Sequence, residues 1–201
     1  QAKLLRGWGR SSATFNESED ISLRFNKKVD GIPYDGKYIF SEMGYNFLPS
    51  EISAAFALEQ LKKLKQNINT RVKNFNKIYD YFRKYENLFI LPNEFKGLKT
   101  GWLAFPLIIR NQNKLVRKNL QIFLEKNGIQ TRTIFTGNIL RQPIMKSKIY
   151  KKCKDATVNS DNVMKNGLLI GCHHGLTNKD INYMLSKFDR FFVKFKFQSL
   201  K

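Results

Sequence analysis

Apolar residues recur at helical spacing from residue 50 onward: Ile52, Ala55, Phe56, Leu58, Leu61 and Leu64, then Phe75, Ile78, Tyr79 and Phe82. Read as a helix, the first group makes one continuous apolar stripe, and Ala54, Ala55 and Ala57 allow close packing on another element. Its start is marked by Leu48-Pro49-Ser50-Glu51. Ser50 is the N-cap, and Ser53 and Glu51 put polar and acidic groups in the first turn, where the positive end of the helix dipole favours them. The pattern predicts a helix over residues 50–85 with a kink around 66–69. Such a length suits an element that links two domains.

Elsewhere the pattern breaks into shorter pieces. Residues 2–6 read as the end of a helix. Residues 8–38 show little periodicity and hold Gly31, Pro33 and Gly36, so they read as one long irregular segment. Strands are expected at 88–91, 102–109, 129–134 and 168–170, with Pro106 marking an edge or a bulge. Helices are expected at 115–127, closed by Gly128, at 159–166, and from an N-cap at Thr177 to about residue 195. Strands alternating with helices give an α/β class and a small α/β sandwich whose sheet is mixed or antiparallel.

Just before the long helix lies Gly44-Tyr45-Asn46, a polar, aromatic turn in which glycine lets backbone approach a ligand or a partner closely. On periodicity alone this is a loop followed by a core helix. Composition narrows the classes around it. The chain has 201 residues, 42% of them hydrophobic, enough to bury a core as one domain or parts of two. No run is long and apolar enough to span a membrane, and no signal peptide is visible, so a cytoplasmic setting is expected. The two cysteines, Cys153 and Cys172, make neither a disulfide framework nor a four-ligand metal site. A net charge of +20 points first to nucleic acid, but the lysines are spread along the chain and no helix-turn-helix, zinc-finger or RNA-binding signature accompanies them. The charge reads mainly as solvated surface.

The ordered set of short motifs changes the picture. Leu5-Arg6-Gly7-Trp8-Gly9-Arg10, Arg24-Phe25-Asn26, Lys37-Tyr38-Ile39-Phe40-Ser41 and Gly44-Tyr45-Asn46 are followed by a small-residue helix. Then come Thr131-Arg132, the run from Phe135 to Pro143 (FTGNILRQP) and the run from Gly171 to Thr177 (GCHHGLT). Together they resemble the DegT/StrS family of pyridoxal-phosphate-dependent sugar aminotransferases, and within it the RfbH-type branch of nucleotide-sugar 3-dehydrases. The resemblance implies the C-terminal part of a fold-type-I (aspartate aminotransferase-like) enzyme of deoxysugar and lipopolysaccharide biosynthesis. Residues 1–49 would be the tail of the large cofactor-binding domain, with its dimer and active-site loop. Residues 50–85 would be the linking helix and 86–201 the small domain. The opening on Gln1 without a Met fits the expectation of a fragment or a processed chain.

The same resemblance implies pyridoxal 5'-phosphate or pyridoxamine 5'-phosphate as cofactor, a nucleotide-sugar substrate and a homodimer. It puts Asn46, with Tyr45, at the cofactor phosphate of the other subunit, a sensible role for a neutral amide donor. It puts Arg132 near the mouth of the active site, where a guanidinium fork can face substrate oxygens or a phosphate, with Asn138, in the loop that follows, also on the substrate side. His173 and His174 point in different directions, so at most one faces the site, and a substrate-side role falls to His174. The lysine or histidine that anchors the cofactor in the family is expected before Gln1, so no catalytic residue is assigned and the fragment alone is expected to be inactive. Members of the RfbH-type branch carry iron–sulfur cysteines where residues 11–24 here have none. Thiolate ligands are required for such clusters, so no cluster is expected. The alternative reading, a basic α/β module that binds nucleic acid without enzymatic activity, accounts only for the charge.

Overall fold

Two glycines organise the start of the chain. Helix α1 (Ala2–Arg6) ends at Gly7, and backbone atoms of Gly9 and Gly44 meet where any side chain would collide. A methyl group on Gly44 would lie 2.2 Å from the Gly9 nitrogen, and one on Gly9 1.8 Å from the Glu42 carbonyl oxygen. The computed structural model describes residues 1–15, 20–110, 115–147 and 157–196 and divides into two units, residues 1–62 and 63–201. Cys153 lies outside the described residues, as do residues 16–19 of the segment expected to be irregular.

The first unit is more regular than the sequence pattern implies. After a 3-10 turn at Ser11–Phe15 comes α2 (Ile21–Phe25). The Asp20 side chain caps it, accepting from the backbone of Ser22 at 2.8 Å and of Leu23 at 3.1 Å. Strands β1 (Lys27–Val29) and β2 (Ile32–Tyr34) then pair as an antiparallel hairpin. Its turn residues Asp30 and Gly31 both have positive φ, 49° and 82°. That is the two-residue turn whose twist matches the flanking strands, and Asp-Gly is its preferred sequence. Arg24 pairs with Asp35, whose side chain also accepts from the Lys37 backbone at 2.9 Å. Those bonds hold the Asp35 carboxyl below its ordinary range.

The long helix α3 (Glu51–Phe82) runs without a break where a kink was expected, and the Ser50 hydroxyl accepts from the Ser53 backbone at 3.2 Å as a cap should. The expected buried stripe in its first half is not found. Ile52 is 84% exposed and Phe56 68%, and Leu58, Leu61 and Leu64 are exposed as well. At about 100° per residue these positions fall all round the helix rather than on one face. Burial begins only in the second half, at Asn74, Phe75, Ile78 and Phe82.

The second unit is built on a four-stranded antiparallel sheet in the order β3 (Phe89–Ile90), β4 (Ala104–Ile109), β6 (Gly167–Gly171), β5 (Thr131–Arg132). Pro106 sits opposite Leu169 of β6, while β3 pairs only with Ile108 and Ile109. The flank of β4 at Pro106 is therefore a local edge, where a residue without an N–H is tolerated. Residues Phe105, Leu107, Ile109, Leu168 and Ile170 form the buried face of the sheet. They pack with the second half of α3, with α4 (Arg117–Lys126) and with α6 (Asn178–Lys194). The centre is aromatic: the Phe82 ring meets Phe188 edge-on at 4.9 Å between centroids, and Phe75 stacks on Trp102 at 4.3 Å. Gly128 closes α4 with φ 72°, and Thr177 and Asp180 form a reciprocal capping box on α6. Helix α5 (Val158–Asn166) leads directly into β6.

Candidate functional site

Asn46 and Tyr45 belong to the first unit. The backbone of residues 45–47 runs alongside the end of α1. Tyr45 donates to the Leu5 carbonyl at 2.7 Å, Phe47 to the Arg6 carbonyl at 2.9 Å, and Trp8 to the Tyr45 carbonyl at 3.0 Å. Asn46 pairs with Gly7 in an isolated bridge. The turn is thus held by backbone bonds, and glycines at 9 and 44 allow that approach. Asn46 is exposed, and its side-chain amide makes no hydrogen bond among the described residues. The Tyr45 ring stacks on Phe47 at 5.2 Å and stays 62% exposed. A fixed backbone with a free amide donor fits an acceptor such as a phosphate oxygen.

Arg132, Asn138 and His174 belong to the second unit and are not brought together. Arg132 ends edge strand β5, opposite Leu169, and lines a cavity of about 690 Å³. The other walls include Gln130, His173, Asp180 and Tyr183, with Leu103, Ile129, Leu169, Leu176 and Met184 as the apolar part. The volume lies within the range of ligand sites, and a mainly apolar wall with a few polar groups is their usual make-up. Asp180 is committed to the cap: its Oδ2 accepts from the Thr177 backbone at 2.8 Å and hydroxyl at 2.6 Å. Those bonds hold its carboxyl below the ordinary range. The cavity therefore carries a fixed anion as well as the Arg132 cation.

The two histidines are placed differently. His173, not His174, lines the cavity. His173 Nδ1 accepts from the Gly175 backbone at 3.2 Å, so the neutral ring carries its proton on Nε2. His174 is engaged elsewhere, its Nδ1 accepting from Arg71 Nε at 3.2 Å. The sequence held no signal for which of the two adjacent rings would face this cavity.

Asn138 has an internal role. It is 3% exposed and does not line the cavity. Its amide donates to Asp161 at 2.8 Å, and its carbonyl oxygen accepts from the Leu140 backbone at 3.0 Å, capping a 3-10 turn at Ile139–Arg141. Arg141 pairs with the same carboxylate. Arg141 first and Asn138 second hold the Asp161 carboxyl well below its usual range. Gly137, with φ 66°, sits against Met164 of α5, where a Cβ would come within 2.5 Å. The FTGNILRQP run is thereby fastened to α5. Cys172 is buried, its thiol pushed up to about 12 by desolvation, the opposite of an activated nucleophile. No group of three or more potential metal ligands gathers among the described residues, and no described helix is long and apolar enough to cross a membrane.

Comparison with known proteins matches residues 15–189 to the profile of the DegT/DnrJ/EryC1/StrS aminotransferase family. The lipopolysaccharide biosynthesis protein RfbH of Salmonella typhimurium is 30% identical over 190 residues, covering 93% of this chain and 43% of RfbH. GDP-4-keto-6-deoxy-D-mannose 3-dehydratase of Escherichia coli O55:H7 is 31% identical over 167 residues, covering 81% of this chain and 42% of that protein. A solved structure of the E. coli GDP-4-keto-6-deoxy-D-mannose-3-dehydratase with bound hydrated PLP superposes with a TM-score of 0.71 at 30% identity. It covers 91% of this chain and 45% of that one. The chain thus spans less than half the length of these relatives.

Proposed function

The chain belongs to the DegT/DnrJ/EryC1/StrS aminotransferase family, and on that premise we propose that it forms part of a nucleotide-sugar enzyme dependent on pyridoxal or pyridoxamine phosphate. The reaction is 3-dehydration or transamination of a nucleotide-linked 4-keto-6-deoxyhexose, in deoxysugar and lipopolysaccharide biosynthesis. The 190-residue correspondence with RfbH carries this reading. In the complete protein, residues 1–49 supply the tail of the large domain, 50–85 the linking helix and 86–201 the small domain. The protein acts as a cytoplasmic homodimer. When bound, the cofactor supplies the electron sink for chemistry next to the sugar carbonyl. Asn46 donates to the cofactor phosphate, with Tyr45 beside it. Arg132 and His173 face the substrate from the cavity wall, and Asn138 holds the loop that follows β5.

The test is incubation of the complete protein with a GDP- or dTDP-linked 4-keto-6-deoxyhexose, the cofactor and glutamate, followed by mass spectrometry of the sugar nucleotide. Net loss of one oxygen from the sugar, with the C3 hydroxyl leaving as water and glutamate supplying the two electrons, marks 3-dehydration, and replacement of the keto oxygen by an amine marks transamination. Turnover of neither kind, by folded protein with cofactor bound, refutes the proposal.

A further inference from the structure

A buried asparagine on α3 holds two residues of the cavity wall. Asn74 is 4% exposed, in a row of otherwise apolar core positions. Its Nδ2 donates to the His173 carbonyl at 3.0 Å and to the Leu176 carbonyl at 3.2 Å. Both residues line the cavity that contains Arg132. One amide nitrogen has two hydrogens, so Asn74 spends its whole donor capacity on this turn. The turn closes on itself as well: Leu176 donates to the His173 carbonyl at 3.1 Å, and Gly175 donates to His173 Nδ1. One helical turn earlier on the same face of α3, Arg71 holds His174. Gly175 leaves the imidazole its room, since a Cβ there would lie 3.2 Å from Nδ1.

We propose that Asn74 is a positioning residue: by tying the carbonyls of His173 and Leu176 to α3, it fixes the His173 imidazole against the cavity and so sets the cavity's grip on its ligand. An aliphatic residue would fill the same core space. It would take the Asn74 donor from the Leu176 carbonyl, leave the His173 carbonyl only its bond from the Leu176 N–H, and leave the turn without its tether to the helix. The part of the inference that concerns ligand rests on the nucleotide-sugar reading above; the part that concerns the imidazole does not.

The chain has two histidines, so ¹⁵N-histidine labelling gives two imidazoles, which His173→Gln assigns. In the unmodified chain His173 shows the Nε2–H tautomer. In Asn74→Ala, and in the isosteric Asn74→Asp if Ala impairs folding, its nitrogen resonances move toward the average of the two tautomers. Unchanged His173 resonances in a folded variant overturn the proposal. The second measurement is GDP affinity of the complete protein by calorimetry. Asn74→Ala lowers it about tenfold, yet by less than twofold in a His173→Ala background. Equal losses in both backgrounds, or no loss in either, refute action through His173. Failure of the unmodified complete protein to bind GDP counts against the nucleotide-sugar reading with this nucleotide and leaves the resonance test to decide the positioning role.

Discussion

A methyl group at position 44 would sit 2.2 Å from a backbone nitrogen and 2.9 Å from the Leu5 carbonyl, and backbone cannot swing aside as a side chain can. Gly44→Ala is therefore expected to destabilise the first unit by at least about 2 kcal/mol. Amide exchange should show it first at Tyr45 and Phe47, whose N–H groups bond to α1. Unchanged protection at both would mean that the approach of residues 9 and 44 is not what holds the turn. A second residue-scale prediction concerns Asp161. Its folded pKa is depressed by Arg141 and Asn138, so its stabilising contribution is full above the unfolded value of about 3.9 and is lost as pH falls through the folded value. The difference in melting temperature between the unmodified chain and Asp161→Asn should be largest near neutrality and shrink below about pH 4. A difference that grows with acid would contradict the pairing. Neither interaction was legible in the sequence. Gly44 reads as permissive without showing its opposing partner, and the bond that buries the Asn138 amide is invisible locally because its half-buried carboxylate partner lies 23 positions away.

Helix α3 behaves as two elements. Its second half is core: Phe82 is fully buried and touches Phe89, Phe105 and Phe188. Phe82→Ala should cost about 3–5 kcal/mol in denaturant unfolding, by lost transfer and cavity formation. Phe56→Ala, on the exposed first half, should change the stability of this chain by less than about 0.5 kcal/mol. Comparable effects from the two would mean that the first half is buried in solution. This asymmetry is missed when the first-half positions are taken as one stripe; at about 100° per residue they fall all round the helix, a pattern that defines no buried face. Elements closed by local chemistry were readable: the Ser50 cap, the Thr177 N-cap and the Gly128 stop are all found. The hairpin at β1 and β2 was also readable in principle, since Asp30-Gly31 between Val29 and Ile32 is a strong two-residue turn signal. It was passed over because the strands are short and exposed on both faces, without the alternation that marks a half-buried strand.

At the scale of the whole molecule, the first unit leaves Phe40, Phe47, Ile52 and Phe56 exposed. A homodimer in which the Gly44-Tyr45-Asn46 turn completes the partner's site gives that surface a use. If Asn46 donates to the cofactor phosphate, loss of its amide removes a hydrogen bond to a charged group, about 1.5–3 kcal/mol, or tenfold and more in cofactor affinity. A mixed dimer shows which subunit the amide serves. One subunit carries Asn46→Ala; the other lacks the cofactor-anchoring residue of the large domain. If the amide acts across the interface, both defects fall in one composite site and the other site is wholly unmodified. Mixed dimers should then keep about half the activity of the unmodified dimer, measured at a cofactor concentration too low to saturate the Asn46→Ala site. If the amide serves its own subunit, one site lacks the anchor, the other lacks the amide, and no intact site remains. Activity near zero under those conditions, with both parents folded and dimeric, would refute the cross-subunit assignment.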